Sequence, residues 1–363
     1  MGECKLSLRR RLALEAFRII KHQSVREHRL RQLFWECTLR CNLDCRHCGS
    51  DCRAETAYKD MPLEDFLGVL DKKPPHINPN DVFIVITGGE PLMRPDLERC
   101  GRAIYERGFP WGMVTNGYAM TEKRYRSLRA AGMHTATVSL DGLKEEHNYM
   151  RGRARSFDNA VEAIRLMGRD KGFIFDVVTC VNRRNLNQLD EVKELLVSLN
   201  VKAWRLFTIF PSGRAADDPE LQLSNEDFCH LLDYIRKNRA EEKRIELSYG
   251  CEGFLGNYEG DVREHLFSCN AGVSVGSVLI DGSISACPSI RANYHQGNIY
   301  KDNFWDVWEN GFAQYRNREW MRKGKCADCS MWRYCEGNGM HLRSSDGKLM
   351  LCHYDRLKVN EPK

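Results

Sequence analysis

CTLRCNLDCRHCGSDC, residues Cys37 to Cys52, follows a short apolar stretch and contains the spacing Cys41-x3-Cys45-x2-Cys48. Thiolates so spaced place three ligands around one metal cluster, but not four. A structural metal site is normally closed by four protein ligands, whereas a cluster held by three leaves one metal open to a ligand that reacts. Cys37 and Cys52 offer competing registers, Cys37-x3-Cys41-x3-Cys45 and Cys45-x2-Cys48-x3-Cys52, and a zinc knuckle is the non-catalytic alternative for the same thiols.

The rest of the chain suits a soluble metalloprotein. Its 363 residues suggest two domains with a substantial core. The mean hydropathy of −0.53 and the lack of a long apolar run argue against a membrane span. No export signal opens the sequence, so the expected location is cytoplasmic, where sixteen cysteines serve metal ligation better than disulfides. The net charge of +5 is uneven: residues 1–32 carry nine Lys or Arg against three Asp or Glu. Leu12, Phe17 and Ile20 give this segment the look of a basic amphipathic helix. It reads as a solvated cap on the first domain, or as a docking surface for an acidic peptide or an anionic membrane face. Nucleic acid is not expected, because no aromatic stacking array accompanies the charge.

Strand-like runs recur at Leu33–Glu36, Val82–Thr87, Trp111–Thr115, Thr135–Leu140, Phe173–Val181 and Trp204–Phe210. Helix-period segments lie between them, one apparently opened by Asn185 with Gln188 as a capping box. Six strand-then-helix repeats predict an α/β fold with parallel strands, a partial (β/α)6 TIM-like barrel. The pattern breaks at Pro211–Pro219, and a helix over Asn225–Arg239 leads into a cysteine-rich region. The expected divisions are a basic N-terminal helix over 1–32, the barrel over 33–240 and a C-terminal unit over 241–363.

Chemistry in such barrels collects at the C-terminal ends of the strands. The cysteine loop follows strand one, Gly88-Gly89-Glu90 strand two, Thr115-Asn116-Gly117 strand three and Ser139-Leu140-Asp141-Gly142 strand four. Four motifs on one rim say more than any one alone. Near the C-terminus stands a second array: Cys269, Gly282-x4-Cys287, Cys326-x2-Cys329-x5-Cys335 and Cys352.

Together these motifs resemble the radical S-adenosylmethionine (SAM) enzymes with a C-terminal SPASM domain, over roughly residues 33–355. The resemblance implies that Cys41, Cys45 and Cys48 hold a 4Fe-4S cluster whose fourth iron binds SAM, with His47 at the aromatic position before the last cysteine. Reductive cleavage of SAM would then give a 5′-deoxyadenosyl radical that removes hydrogen from the substrate. By the same resemblance Gly88, Gly89, Glu90, Asn116, Ser139, Asp141 and Arg151 contact SAM, with Arg151 a counter-ion for its carboxylate. Cys326, Cys329, Cys335 and Cys352 form a complete auxiliary set. The other set lacks a member, since Gly339 stands where a cysteine is expected, leaving Cys269 and Cys287 with Cys251 as a possible third ligand. The implied cofactors are SAM, its 4Fe-4S cluster and one or two auxiliary iron-sulfur clusters; three clusters in all are expected here, about twelve irons per chain rather than about eight. Cys4, Cys100, Cys180 and Cys229 fit no spacing and read as spare thiols.

The resemblance implies a peptide or protein maturase with a precursor peptide or protein as substrate and flavodoxin or ferredoxin as electron donor. Sulfatase maturation is disfavoured, because Pro288 follows Cys287 where those members carry Asp. A small-molecule or tetrapyrrole-modifying radical enzyme is the alternative within the class, and a zinc-binding interaction protein the alternative outside it.

Overall fold

Apolar residues at alternate positions of the predicted runs, with Gly and Asn at their ends, are the pattern of strands that bury one face against helices. The computed structural model describes residues 6–360 apart from Asp217 and Cys251. The six runs form parallel strands β1 (Gln32–Thr38), β2 (Phe83–Gly88), β3 (Trp111–Thr115), β4 (Met133–Ser139), β5 (Ile174–Val181) and β6 (Ala203–Thr208), paired in sequence order. The partial barrel expected from the sequence is present, and the sheet runs on past both its edges. β7 (Glu246–Tyr249) adds parallel to β6, so the sheet does not stop near residue 240. On the other side β8 (Val275–Val278) pairs parallel to β1, followed by β9 (Ser283–Ser285) and β10 (Gly297–Asn298), for a ten-stranded sheet ordered β10-β9-β8-β1-β2-β3-β4-β5-β6-β7.

The outer layer holds α2 (Leu63–Asp71), α3 (Leu97–Glu106), α4 (Glu122–Ala130), α5 (Lys144–Arg151), α6 (Ser156–Arg169), α7 (Leu189–Ser198) and α8 (Asn225–Glu241), after an N-terminal α1 (Leu8–Glu27). Leu33, Trp35, Ile84, Ile86, Val177, Trp204 and Leu206 point towards the helices and are fully buried. Trp35 stacks on Phe66 with ring centroids 4.5 Å apart. The alternate residues Phe34, Phe83, Val114, Thr137, Asp176, Val178, Arg205 and Phe207 face the barrel interior and are only half-buried.

Two local expectations are corrected. Asn185 opens a short 3-10 turn over Leu186–Gln188, and α7 begins after it with no side-chain cap. The Asn185 amide instead donates to the carbonyls of Asp141 and Cys180, tying the tips of β4 and β5 together. A side chain with stronger partners across the sheet is lost to capping. The capping box stands at α8, between Ser224 and Asp227. The helix predicted near the N-terminus exists, but it packs on the C-terminal region through Leu14 and Lys21, while Leu12 and Ile20 are exposed. Lys21 pairs with Glu336 at 2.7 Å and Arg10 with Asp261 at 2.8 Å.

Gly101 lies inside α3, where helix propensity alone favours alanine by about 1 kcal/mol. A Cβ there would sit 2.1 Å from Cζ2 of the buried Trp111. Gly101→Ala is therefore expected to destabilise by about 1–3 kcal/mol in a denaturant melt; a rise in stability would show that Trp111 can move aside.

Candidate active site

The cysteine loop leaves the end of β1 and is held by β2. Gly89 N–H donates to the Thr38 carbonyl at 2.8 Å and Glu90 N–H to that of Arg40 at 2.9 Å. The backbones approach so closely that a Cβ on Gly88, whose φ is +138°, would lie 2.0 Å from Thr38 O, and one on Gly89 2.4 Å from Arg40 O. Arg214 braces the far side, donating to the carbonyls of Cys45 at 2.7 Å and Cys52 at 3.1 Å. Cys41 and Cys45 are buried and Cys48 half-buried in this loop. The interaction between the Cys48 and Cys52 thiols draws the former down and drives the latter up. Cys37 lies away from the loop in the main core, beside Arg94.

Glu90 does not face open space. Its carboxylate accepts from Thr115 Oγ1 at 2.7 Å, Asn116 N–H at 2.7 Å and Leu92 N–H at 3.1 Å, so it locks the ends of β2 and β3 together. Asn116 in turn donates to Asn42 at 2.8 Å inside the cysteine loop, and its Nδ2 lies 3.8 Å from Cys41 Sγ.

Asp141 and Arg151 form the charged heart of the rim. Arg151 Nε lies 2.7 Å from Asp141 Oδ2, and Arg151 Nη1 lies 3.7 Å from Cys45 Sγ. Asp141 also accepts from Cys180 N–H at 3.0 Å, and His47 Nε2 stands 3.5 Å away. Burial alone would raise the Asp141 carboxyl, but Arg151, His47 and His147 outweigh it and hold it at about 2. Burial pushes His47 down to about 4, leaving it neutral. Among the described residues, His47 Nδ1 and His147 Nε2 are buried with no hydrogen-bond partner, which suits a pocket that receives a polar ligand. Ser139 is buried at the end of β4 on the same rim.

Cys180, read from the sequence as a spare thiol, joins this group: ligand atoms of His47, Asp141 and Cys180 all lie within 4.8 Å of one another. Its interior-facing position at the end of β5 was the available signal. Nothing in the spacing of Arg214 shows that it clamps the cysteine loop.

In the C-terminal region Cys326, Cys329, Cys335 and Cys352 line one cavity of about 30 Å³ with Trp332 and Tyr354. Four thiols around one space are the donor set of a closed cluster. Buried Arg343 extends Nη2 to 3.5 Å from Cys326 Sγ. The other half-array differs. A Cβ at Gly339 would lie 2.6 Å from Glu252 O and 2.7 Å from His341 Cε1, so no room is left for the missing thiol. Burial would raise the Cys269 thiol, yet Arg318 and the amides of Met340 and Ala271 bring it below its ordinary value. Burial, together with the Cys287 and Cys269 thiols, raises the Tyr315 hydroxyl above its ordinary value. Cys251, the possible third ligand, falls outside the described residues.

Comparison with known proteins accounts for both centres. Residues 35–196 match the radical SAM superfamily and residues 269–330 the SPASM iron-sulfur cluster-binding domain. An AdoMet-dependent heme synthase of Methanosarcina barkeri is 28% identical over 325 residues, 85% of this chain and 90% of that protein. Mycofactocin maturase MftC of Mycolicibacterium smegmatis is 30% identical over 324 residues, 87% of this chain and 79% of its own. In fold, the crystal structure of Streptococcus suis SuiB bound to S-adenosylmethionine superposes with a TM-score of 0.67 at 17% identity, over 87% of this chain and 75% of that one. The zinc-binding alternative is set aside: this chain belongs to the radical SAM superfamily, with a SPASM domain, and is an enzyme that uses SAM and 4Fe-4S clusters.

Proposed function

We propose that Cys41, Cys45 and Cys48 hold the SAM-binding cluster, that Cys326, Cys329, Cys335 and Cys352 hold one auxiliary cluster, and that the substrate is a tetrapyrrole. The rim loop carries the first assignment: three cysteines beside an Asp141–Arg151 pair and an unpartnered His47 Nδ1. When bound, the cluster and SAM supply a 5′-deoxyadenosyl radical that takes a hydrogen atom from the substrate. The chain's own residues orient and exclude. Arg151 places a buried cation beside Cys45, where it can neutralise the SAM carboxylate. Gly88 and Gly89 fix the loop against β2, and the barrel interior keeps competing hydrogen donors away from the reacting carbon.

The tetrapyrrole reading is supported by the heme synthase match, which spans 90% of that relative. A peptide, expected from the sequence, is the second reading, supported by 30% identity to the mycofactocin maturase. Electrons would come from flavodoxin or ferredoxin. The outward face of α1, with Leu8, Leu12, Ile19 and Ile20 exposed beside Arg9 and Arg11, offers a surface for an anionic membrane. Among the described residues no helix is long and apolar enough to cross one.

After anaerobic reconstitution, reductant and SAM should yield 5′-deoxyadenosine, and Ala at Cys41, Cys45 or Cys48 should abolish it; product from any of these variants would refute the ligand assignment. Iron coproporphyrin III should raise the yield and itself change mass, whereas stimulation by a short peptide encoded beside the gene would favour the second reading.

Iron analysis separates the two C-terminal arrays. The wild type should hold about eight irons per chain. Cys326→Ala with Cys329→Ala should remove about four, and Cys269→Ala with Cys287→Ala none. About twelve irons in the wild type would restore the three-cluster expectation.

A further inference from the structure

Among the described residues, Arg205 is the only lysine or arginine on strands β1–β7. Its neighbours Trp204 and Leu206 are fully buried against the helix layer, so alternation turns Arg205 into the barrel interior. Its place there is constructed. Arg205 Nε donates to Asp176 Oδ2, Arg205 Nη2 donates to Thr137 Oγ1 at 3.2 Å, and Thr137 Oγ1 donates to Asp176 Oδ1 at 2.6 Å. Three residues on three adjacent strands thus fix the plane of one guanidinium. The two contacts use two of its five N–H donors, and the side chain remains 42% exposed.

The position is close to the chemistry. In the strand register Arg205 pairs with Val178 and Val178 with Ser139, so Arg205 shares a row with a proposed SAM contact two strands away. Two strand spacings are roughly 10 Å. Along β5 the interior lining passes from half-buried Asp176 and Val178 to half-buried Cys180 on the rim. Phe34, Phe83, Val114 and Phe207 make the remaining wall apolar and half-exposed. A charged pair inside a barrel adds little to stability, since apolar residues of similar volume do as well or better. Its use is recognition.

We propose that Arg205, held by Asp176 and Thr137, anchors a carboxylate of the substrate inside the barrel. The proposal rests on the tetrapyrrole reading. The planar fork meets the carboxylate side chain edge-on, and the macrocycle lies against the phenylalanine wall, with the carbon next to the anchored group turned towards the rim.

Binding to the reconstituted holoenzyme in the presence of SAM tests this, using iron coproporphyrin III, which carries four carboxylates, and its tetramethyl ester. Wild type should bind the acid at least about tenfold more tightly than the ester. Arg205→Gln should lose that preference, and Arg205→Lys should keep only part of it, because an ammonium cannot form the paired contact. A thermal melt checks that the variants fold, and the wild-type comparison needs no variant. Equal binding of acid and ester by wild type, or an undiminished preference in Arg205→Gln, would overturn the anchoring role and leave the tetrapyrrole reading standing. Failure of wild type to bind either form would remove the tetrapyrrole reading and this proposal with it.

Discussion

The site depends on one backbone crossing. Gly88 and Gly89 pass so close to Thr38 and Arg40 that two main-chain hydrogen bonds join the end of β2 to the start of the cysteine loop. Any side chain at either glycine would push these segments apart, and the loop would no longer be directed over the barrel mouth. The next residue extends the same restraint, since the Glu90 carboxylate receives Thr115 and Asn116 from β3. The span that begins at Arg40 and reaches Cys48 is therefore directed by the neighbouring strands where it starts, and Arg214 braces its far side. That is a requirement for a loop whose three thiols must point at one place.

The charges around it follow a second logic. Asp141 and Arg151 are both buried, and isolated burial of either would cost several kcal/mol. Each is acceptable because the other stands 2.7 Å away, and neutral His47 and His147 surround them without adding charge. Arg151 also reaches Cys45, so the cation that balances Asp141 faces the thiol loop as well. A pair of this kind stores polarity in a dry site, and an incoming zwitterion can exchange contacts with it at little cost in solvation.

Much of this was legible in the sequence because the signals were periodic or punctuated. Alternating apolar runs gave β1 to β6 to within a few residues, and Gly-Gly-Glu, Asn-Gly and Asp-Gly marked the strand ends that form the rim. What stayed hidden depends on contacts between distant segments. Asn185 looked like a helix cap but joins β4 to β5. Arg214 clamps a loop more than 160 residues earlier in the chain, and no local pattern announces that. β7 and β8 are four residues each, too short for periodicity to separate them from loops, and their pairing with β6 and β1 is what carries the sheet across the expected boundary.

The two groups of C-terminal cysteines sit in different surroundings. Around Cys326 the four thiols line one cavity, and Arg343 supplies a buried positive charge beside it. Around Gly339, His341 and the Glu252 backbone stand within the reach of an added Cβ. Arg318 donates to the carbonyls of Cys269 and Asn338 at 3.1 Å each, which ties these two segments together. Hydrogen bonds to a charged donor are individually strong in a buried setting, so a few of them can hold two chain segments together.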